Sequence, residues 1–353
     1  MKALLIGMSM MLCLYSAQNL NTNKPRSSAC HAADTETDDS IAYGPQLPAY
    51  YNHGISEYVR RVFEDSRGFL WFGTNSDGLA LFDGNKLSYL NSQDGLSGSQ
   101  ITGIIEDKEG KVWFSTNNGI SRYDISAETG EYFQNFGERE GLCHKSTWSI
   151  FQDSKGTIWA GTLSGLCRFN GKDFEVVSIP TAEKSWIRSI TEDKEGNLWF
   201  ATADKGAFKF DGKSFQQLSI KDGLCSNDLT CIIQDKQGNM WFGSMDGGLS
   251  IYDGKNFRNL TTEKEIGGNE VWTIYEDPNG GVWFSSEGFG LYRYTSAGLE
   301  HFGEKQGFNT QAVQTVYRDR FERLWIGGGG GLVRFTRGTF QPVTKDGPWT
   351  DGC

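Results

Sequence analysis

"DSRGFLWFGTNSDGLALFDG", residues 65–84, decides the fold, because variants of this stretch recur along the rest of the chain. Six further copies begin with an aspartate, at Asp107, Asp153, Asp193, Asp235, Asp277 and Asp319. Six residues after its aspartate each copy has a tryptophan, at Trp71, Trp113, Trp159, Trp199, Trp241, Trp283 and Trp325. Successive tryptophans are 40 to 46 residues apart. A period of this length, built from short strands, is typical of propeller blades.

Four strands can be assigned within one period. In the second copy they are "ITGIIED", "VWFST", "GISRYD" and "EYFQNF", each bounded by turn residues. The aspartate is expected to cap the turn after the first strand, and the tryptophan to pack between adjacent blades. In the last copy Glu322 replaces the turn glycine, which predicts a looser hairpin. The predicted fold class is all-β, a seven-bladed β-propeller with four antiparallel strands per blade.

The first 41 residues differ in composition from the repeats. Lys2 is followed by an apolar run and then by small and polar residues, a pattern typical of a secretion signal. We predict a signal peptide over residues 1–17, a disordered polar linker over 18–41 and the propeller over 42–353, so that the protein is periplasmic or secreted. Lipoprotein anchoring is the alternative, although neither Cys13 nor Cys30 lies where lipidation would place it.

Net charge and cysteine usage exclude several classes of site. A net charge of −10 without a local basic patch disfavours a nucleic-acid partner. The seven cysteines form no C-x-x-C pair, so neither a zinc site nor a disulfide framework is predicted, and isolated disulfides stay possible. No D-x-D-x-D-G calcium loop occurs. We therefore expect no metal and no cofactor.

The repeated pattern D-x-x-G-x-x-W-[FIA]-[GSA]-T-x-x-G-[LI] resembles the two-component regulator propeller repeats of bacterial hybrid sensor kinases, over about residues 55–346. The resemblance implies a periplasmic sensor domain. In that family a β-sandwich, a membrane helix and a kinase follow the propellers, and the sequence shows no counterpart of these parts. A weaker similarity to streptogramin lyase, another seven-bladed propeller, adds an enzyme alternative.

Function is expected where the seven copies differ. Five residues before each turn aspartate they diverge, with Arg60, Thr102, Trp148, Arg188, Thr230, Trp272 and Gln314. Two residues later they are uniformly Val or Ile. The variable side chains should surround one mouth of the central channel, joined by the loops between second and third strands. The predicted ligand-binding residues are Arg60, His144, Trp148, Trp186, Arg188, Asn227, Asp228, Glu270 and Trp272.

This mixture of aromatic, cationic and amide side chains predicts stacking on an oligosaccharide or another small polar ligand. The competing interpretation is that Trp148 and Trp272 only fill wide gaps between blades. We predict an exported sensing propeller that also contacts an exported or membrane signalling protein. Catalysis by a loop histidine such as His53 or His144, in a lyase- or hydrolase-type enzyme, and a protein-interaction platform are the alternatives.

Overall fold

The computed structural model describes residues 54–126, 132–308, 310 and 312–349. They form seven four-stranded antiparallel sheets, in each of which the strands pair in chain order. The predicted all-β, seven-bladed propeller is therefore confirmed. The signal peptide over residues 1–17 and the linker over 18–41 lie outside the described residues.

Each blade uses four consecutive strands, whose bounds follow. Blade 1 contains β1 (Val59–Glu64), β2 (Leu70–Thr74), β3 (Leu79–Phe82) and β4 (Leu87–Leu90). Blade 2 contains β5 (Ile101–Glu106), β6 (Val112–Thr116), β7 (Gly119–Tyr123) and β8 (Phe133–Phe136). Blade 3 contains β9 (Thr147–Gln152), β10 (Ile158–Thr162), β11 (Gly165–Phe169) and β12 (Phe174–Val177). Blade 4 contains β13 (Ile187–Glu192), β14 (Leu198–Thr202), β15 (Ala207–Phe210) and β16 (Phe215–Leu218).

The remaining blades repeat this arrangement. Blade 5 contains β17 (Leu229–Gln234), β18 (Met240–Ser244), β19 (Leu249–Tyr252) and β20 (Phe257–Asn259). Blade 6 contains β21 (Ile274–Glu276), β22 (Val282–Ser286), β23 (Gly290–Thr295) and β24 (Gly298–Phe302). Blade 7 contains β25 (Val313–Arg318), β26 (Leu324–Gly328), β27 (Gly331–Thr336) and β28 (Thr339–Val343).

The first strands of the blades surround the central channel, since each contacts the first strands of both neighbouring blades, and β25 contacts β1. Among the described residues, the ring closes without an exchanged strand. The segment from Gly54 to Tyr58 makes two isolated bridges to blade 7, Gly54 to Thr344 and Tyr58 to Gly329. Blades 1 and 7 already have four strands each, so no strand position is left for it.

Seven apolar clusters hold neighbouring blades together. Each cluster combines the repeat tryptophan of one blade with the core of the next, and the seventh joins Trp325 to blade 1. The Trp71 ring lies 5.2 Å from Phe114 of blade 2, and the Trp325 ring 6.1 Å from Phe72 of blade 1, between ring centroids. All seven indoles are at most 5% exposed. The predicted packing of the repeat tryptophans between adjacent blades, which we call their wedge role, is confirmed.

The repeat aspartates cap their turns as predicted and make a further bond. Asp65 Oδ1 accepts hydrogen bonds from the backbone N–H groups of Arg67 and Phe69, both at 3.0 Å. Its Oδ2 accepts one from the indole Nε1 of Trp71 at 3.0 Å. The same indole–carboxylate bond recurs in every blade at 2.7–3.0 Å. Each aspartate therefore fixes both the turn and the buried indole.

The small residue after each repeat tryptophan and the residue that closes each turn both depend on the backbone geometry. A Cβ on Gly73, two residues after Trp71, would lie 2.6 Å from Ile101 Cγ2 of the next blade, so the small residue is required. The expectation of a looser last hairpin is wrong. Glu322 adopts the left-handed conformation, with φ 65°, and its N–H donates to Asp319 O at 3.0 Å, as the glycines of the other turns do.

Candidate functional site

Two sets of loops meet at one mouth of the channel. The first residue after each second strand donates its N–H to a carbonyl of the segment that enters the same blade, as in Asn75 to Tyr58 at 3.1 Å and Glu287 to Glu270 at 2.8 Å. The second-to-third-strand loops therefore lie beside the segments that enter each blade, as the repeat phase predicts.

The variable positions line the channel at this mouth. Arg60 and Arg188 are buried, at 7% and 8% exposed, whereas Trp148 and Trp272 are half-buried. The Val and Ile residues two positions further along each strand are all buried. These rings are therefore only partly accessible at the mouth. Side chains from two other blades, Arg60 of blade 1 and Trp186 of blade 4, lie against the Trp148 ring.

Five of the nine predicted site residues form one continuous cluster, which we call the mouth band: Arg60, Trp148, Trp186, Arg188 and Asp228. The Arg60 guanidinium carbon lies 5.3 Å from the Trp148 ring centroid. The Trp148 and Trp186 rings meet edge to face at 4.5 Å between centroids. The Arg188 guanidinium carbon lies 4.1 Å from the Trp186 ring, and Arg188 forms an ion pair with Asp228. The band thus places two adjoining indole rings between two arginines, and it ends in a carboxylate at the entrance of blade 5.

An acidic group occupies the blade 6 side of the mouth. The Trp272 indole donates to Glu270 Oε1 at 2.6 Å, which joins two more predicted site residues. Glu287, from the loop after β22, lies close enough to interact with Glu270. Burial, reinforced by the Glu270 charge, raises the pKa of Glu287 to about 7. Burial also raises the pKa of Tyr58, which interacts with Arg60 on one side and Glu287 on the other.

The other two predicted site residues bond within their own loops. Asn227 Oδ1 accepts from the Ile220 N–H at 3.0 Å. His144 Nδ1 accepts from the Ser146 N–H at 3.0 Å. His301 stacks on Tyr292 on blade 6, and His53 lies outside the described residues. In the described part of the chain, neither His144 nor His301 makes a hydrogen bond or ring contact with the mouth band.

Arg61 is not among the nine predicted site residues, yet it connects the first strands of blades 1 and 7. Its Nη1 donates to the carbonyls of Arg60, at 2.7 Å, and of Gln314 in blade 7, at 3.2 Å. Burial, with the adjacent Arg60 charge, lowers the pKa of Arg61 to about 10. The only signal in the sequence was that two adjacent arginines occur at this position in blade 1 alone.

A second concave site lies on the opposite face, between blades 5 and 6. Its volume is about 500 Å³, and its lining includes Lys236, Trp241 and Arg258. Arg258 donates to Glu263 at 2.8 Å and to the Tyr294 hydroxyl at 3.1 Å and pairs with Glu265, so its charge is already neutralised within the protein. This cleft is lined largely by turns that recur in every blade, whereas the mouth is lined by positions at which the repeats differ, so the mouth is the stronger candidate site.

No group of three or more His, Cys, Asp or Glu side chains that could hold a metal ion occurs among the residues that the structure describes. Over the same residues, no helix has the length and apolar character needed to cross a membrane.

Glu287→Gln should stabilise the protein at neutral pH. Because its pKa is about 7 in the folded protein and near 4.3 in an unfolded chain, the free energy of unfolding falls as the pH rises between these values. The variant should lose this decline, on the order of 1 kcal/mol after allowance for solvent screening. Urea denaturation at pH 5 and pH 8 measures it, with Glu304→Gln at an exposed position as control. An unchanged difference between the two pH values would contradict the assignment.

Comparison with known proteins gives one family. The model described as "Two component regulator propeller" matches residues 53–76, 95–118, 141–164, 183–204, 223–246 and 265–288. The matches cover the entrance and first two strands of blades 1 to 6. The seventh copy, whose sequence departs further from the repeat pattern, is not among them. No curated protein matches the sequence.

Solved structures show similarity at the level of the fold. Virginiamycin B lyase from Staphylococcus aureus is 14% identical with a TM-score of 0.64, over 78% of this chain and 94% of that one. PorZ from Porphyromonas gingivalis, a surface component of the type-IX secretion system, is 15% identical with a TM-score of 0.60, over 82% of this chain and 48% of that one. The extracellular domain assigned to a hybrid two component system from B. thetaiotaomicron is 23% identical with a TM-score of 0.47, over 80% of this chain. The chain spans 45% of that domain's length.

Proposed function

Because the chain belongs to the family of two-component regulator propeller repeats, we propose that it is a sensing propeller that binds a small polar or carbohydrate ligand at the channel mouth. The mouth band is the observation that carries this proposal. It brings together side chains from four separate repeats, at positions where the repeats otherwise disagree, and it offers ring faces beside hydrogen-bonding groups.

The ring faces favour a ligand with a flat or sugar-like surface. Trp148 and Trp186 are half-buried, so each ring is held in place by its neighbours while part of it stays accessible. Trp272 adds a third ring on the blade 6 side, oriented by its bond to Glu270. A ligand that spans the mouth would stack on aromatic carbon and hydrogen-bond at its edges.

The proposal includes the location and the partner. We place the protein in the periplasm or outside the cell, in agreement with the secretion-signal pattern of residues 1–17 and the repeat family. The signal would pass to an exported or membrane signalling protein, and no nucleic acid is involved.

A thermal-shift screen of the full chain against oligosaccharides and small polar compounds tests the proposal. We expect saturable stabilisation by a ligand. Trp148→Ala and Trp272→Ala should each reduce the apparent affinity about five- to thirtyfold, because each removes stacking area worth on the order of 1–2 kcal/mol. His144→Ala, a loop residue outside the mouth band, serves as control. A ligand response that both tryptophan variants retain would contradict the proposal, and turnover lost in His144→Ala would favour the enzyme alternative.

A further inference from the structure

We propose that the ligand of the mouth carries an oxyanion, a carboxylate, sulfate or phosphate group, which binds to Arg60 and Arg61. This inference rests on the proposed function, because it gives the chemical class of the ligand at the same site. It depends on two neighbouring cations for which the described residues provide no carboxylate partner.

Arg60 is a buried cation whose hydrogen bonds are incomplete. Its Nη1 donates to Asn75 Oδ1 at 2.9 Å, and that oxygen also accepts from Gln100 Nε2 at 2.8 Å. The Arg60 Nε has no hydrogen-bond partner in the described part of the chain, although the residue is only 7% exposed. Tyr58 and Trp148 lie against the guanidinium, at 5.8 and 5.3 Å from ring centroid to guanidinium carbon. A buried donor without a partner is costly in a native protein and commonly marks the place of a bound ion or ligand.

Arg61 adds a second positive charge next to the first. Within residues 54–126, 132–308, 310 and 312–349, its guanidinium donates only to backbone carbonyls, those of Arg60 and Gln314. Among the ion pairs of the described residues, none involves Arg60 or Arg61. Two like charges held together away from bulk water repel each other, and an anion between them would remove that cost.

The carboxylates of the mouth are engaged elsewhere. Asp228 pairs with Arg188, and Glu270 accepts from the Trp272 indole. Glu287 lies next to Glu270, and the two repel each other, which makes this side of the mouth unfavourable to a second anion. The charges therefore select the orientation of an acidic ligand, with its oxyanion towards blade 1 and its uncharged part towards Trp272.

The neighbouring rings extend this selection to the rest of the ligand. Trp148 contacts the Arg60 guanidinium on one side and the Trp186 ring on another, so a group bound at Arg60 lies beside two indoles. A compound that joins an oxyanion to a sugar-like or aromatic ring fits both features. A sugar acid is the simplest probe of this kind.

The experiment compares matched probes on matched variants of the full chain. D-Glucuronate and D-glucosamine each differ from D-glucose at one group, a carboxylate in the first and an ammonium in the second. Sodium sulfate supplies an oxyanion without a ring. All probes are compared at the same ionic strength. The variants are Arg60→Gln and Arg61→Met. The control is Arg168→Met, which removes the same charge from an exposed pair with Glu175 on the outer part of blade 3.

We expect glucuronate and sulfate to raise the Tm of the wild type and of Arg168→Met saturably, by about 2 °C at ten times the dissociation constant. The rise should disappear in Arg60→Gln and Arg61→Met, with glucuronate binding more tightly than sulfate. Glucose and glucosamine should bind at least about tenfold more weakly than glucuronate. Equal anion responses in the wild type and in both arginine variants, or preferred binding of glucosamine, would overturn the oxyanion assignment.

The outcome for the proposed function can be read separately. If a neutral ligand from the screen depends on Trp148 and Trp272 but not on Arg60 or Arg61, the oxyanion inference is wrong and the ligand-binding mouth remains. If ligands bind without regard to any mouth residue, both are wrong. Circular dichroism of each variant confirms that a lost response does not reflect unfolding.

Discussion

Trp241→Ala should lower the free energy of unfolding by about 3–5 kcal/mol, more than any other single change considered for this protein. Trp241 of blade 5 is 1% exposed and lies in a cluster with Val282, Phe284 and other core residues of blade 6. Its indole also donates to Asp235 at 2.8 Å. Alanine would leave a cavity between the blades and remove the indole from a buried carboxylate, and each effect is destabilising.

Chemical denaturation followed by far-UV circular dichroism measures this loss. Trp272→Ala is the matched control, because it removes the same atoms from a half-buried indole at the mouth, and we expect it to cost about 1 kcal/mol. Trp241→Phe should fall between the two, since it keeps a ring in the cluster and loses the bond to Asp235. Similar losses at Trp241 and Trp272 would contradict the wedge role of the repeat tryptophans.

Replacing both Cys143 and Cys167 by serine should lower the free energy of unfolding by about 2–4 kcal/mol without changing the fold. The two cysteines form a disulfide between the segment that enters blade 3 and strand β11, over a sequence separation of 24. In blade 2 the equivalent residues are Ser97 and Ser121, whose hydroxyls are hydrogen-bonded at 2.8 Å. Serines at the blade 3 positions can therefore make the same contact, and only the covalent constraint is lost.

Urea denaturation of the double variant tests this, and the wild type with a reductant should reach the same midpoint. Cys225→Ser is the control, because Cys225 occupies the equivalent position in blade 5 and its N–H donates to Ser250 Oγ at 3.0 Å, so little change is expected. If the double variant and the wild type unfold at the same urea concentration, the disulfide contributes nothing to stability.

The repeats allowed most of the fold to be predicted from the sequence. The constant spacing of Asp and Trp determined the number of blades, the strands in each and the side chains between them. The hydrogen bond between indole and carboxylate was not predicted, although the sequence has a tryptophan six residues after every repeat aspartate. A constant spacing in the sequence shows that the aspartate and the tryptophan recur together. Whether their side chains are in contact depends on side-chain geometry, which the spacing does not give.

The candidate site was predicted only in part, for a physical reason. Comparison of the copies identifies which positions vary, and these positions do meet at the mouth. The comparison does not show how far a long side chain reaches. It therefore could not predict the contact of Arg60 with Trp148, two blades away, or the hydrogen bond from Arg61 to the Gln314 carbonyl. The disulfide was missed because cysteines occupy both of these positions only in blade 3, so the repeat pattern does not mark them as a pair.

Within the described residues, each blade is built from four consecutive strands, and this arrangement has a genetic consequence. In this ring one blade corresponds to one uninterrupted stretch of about 42 codons. Duplication or loss of such a stretch adds or removes a whole sheet together with its repeat tryptophan, and the strands of the other blades keep their partners. The number of blades, and with it the width of the opening, can thus change in evolution by single recombination events.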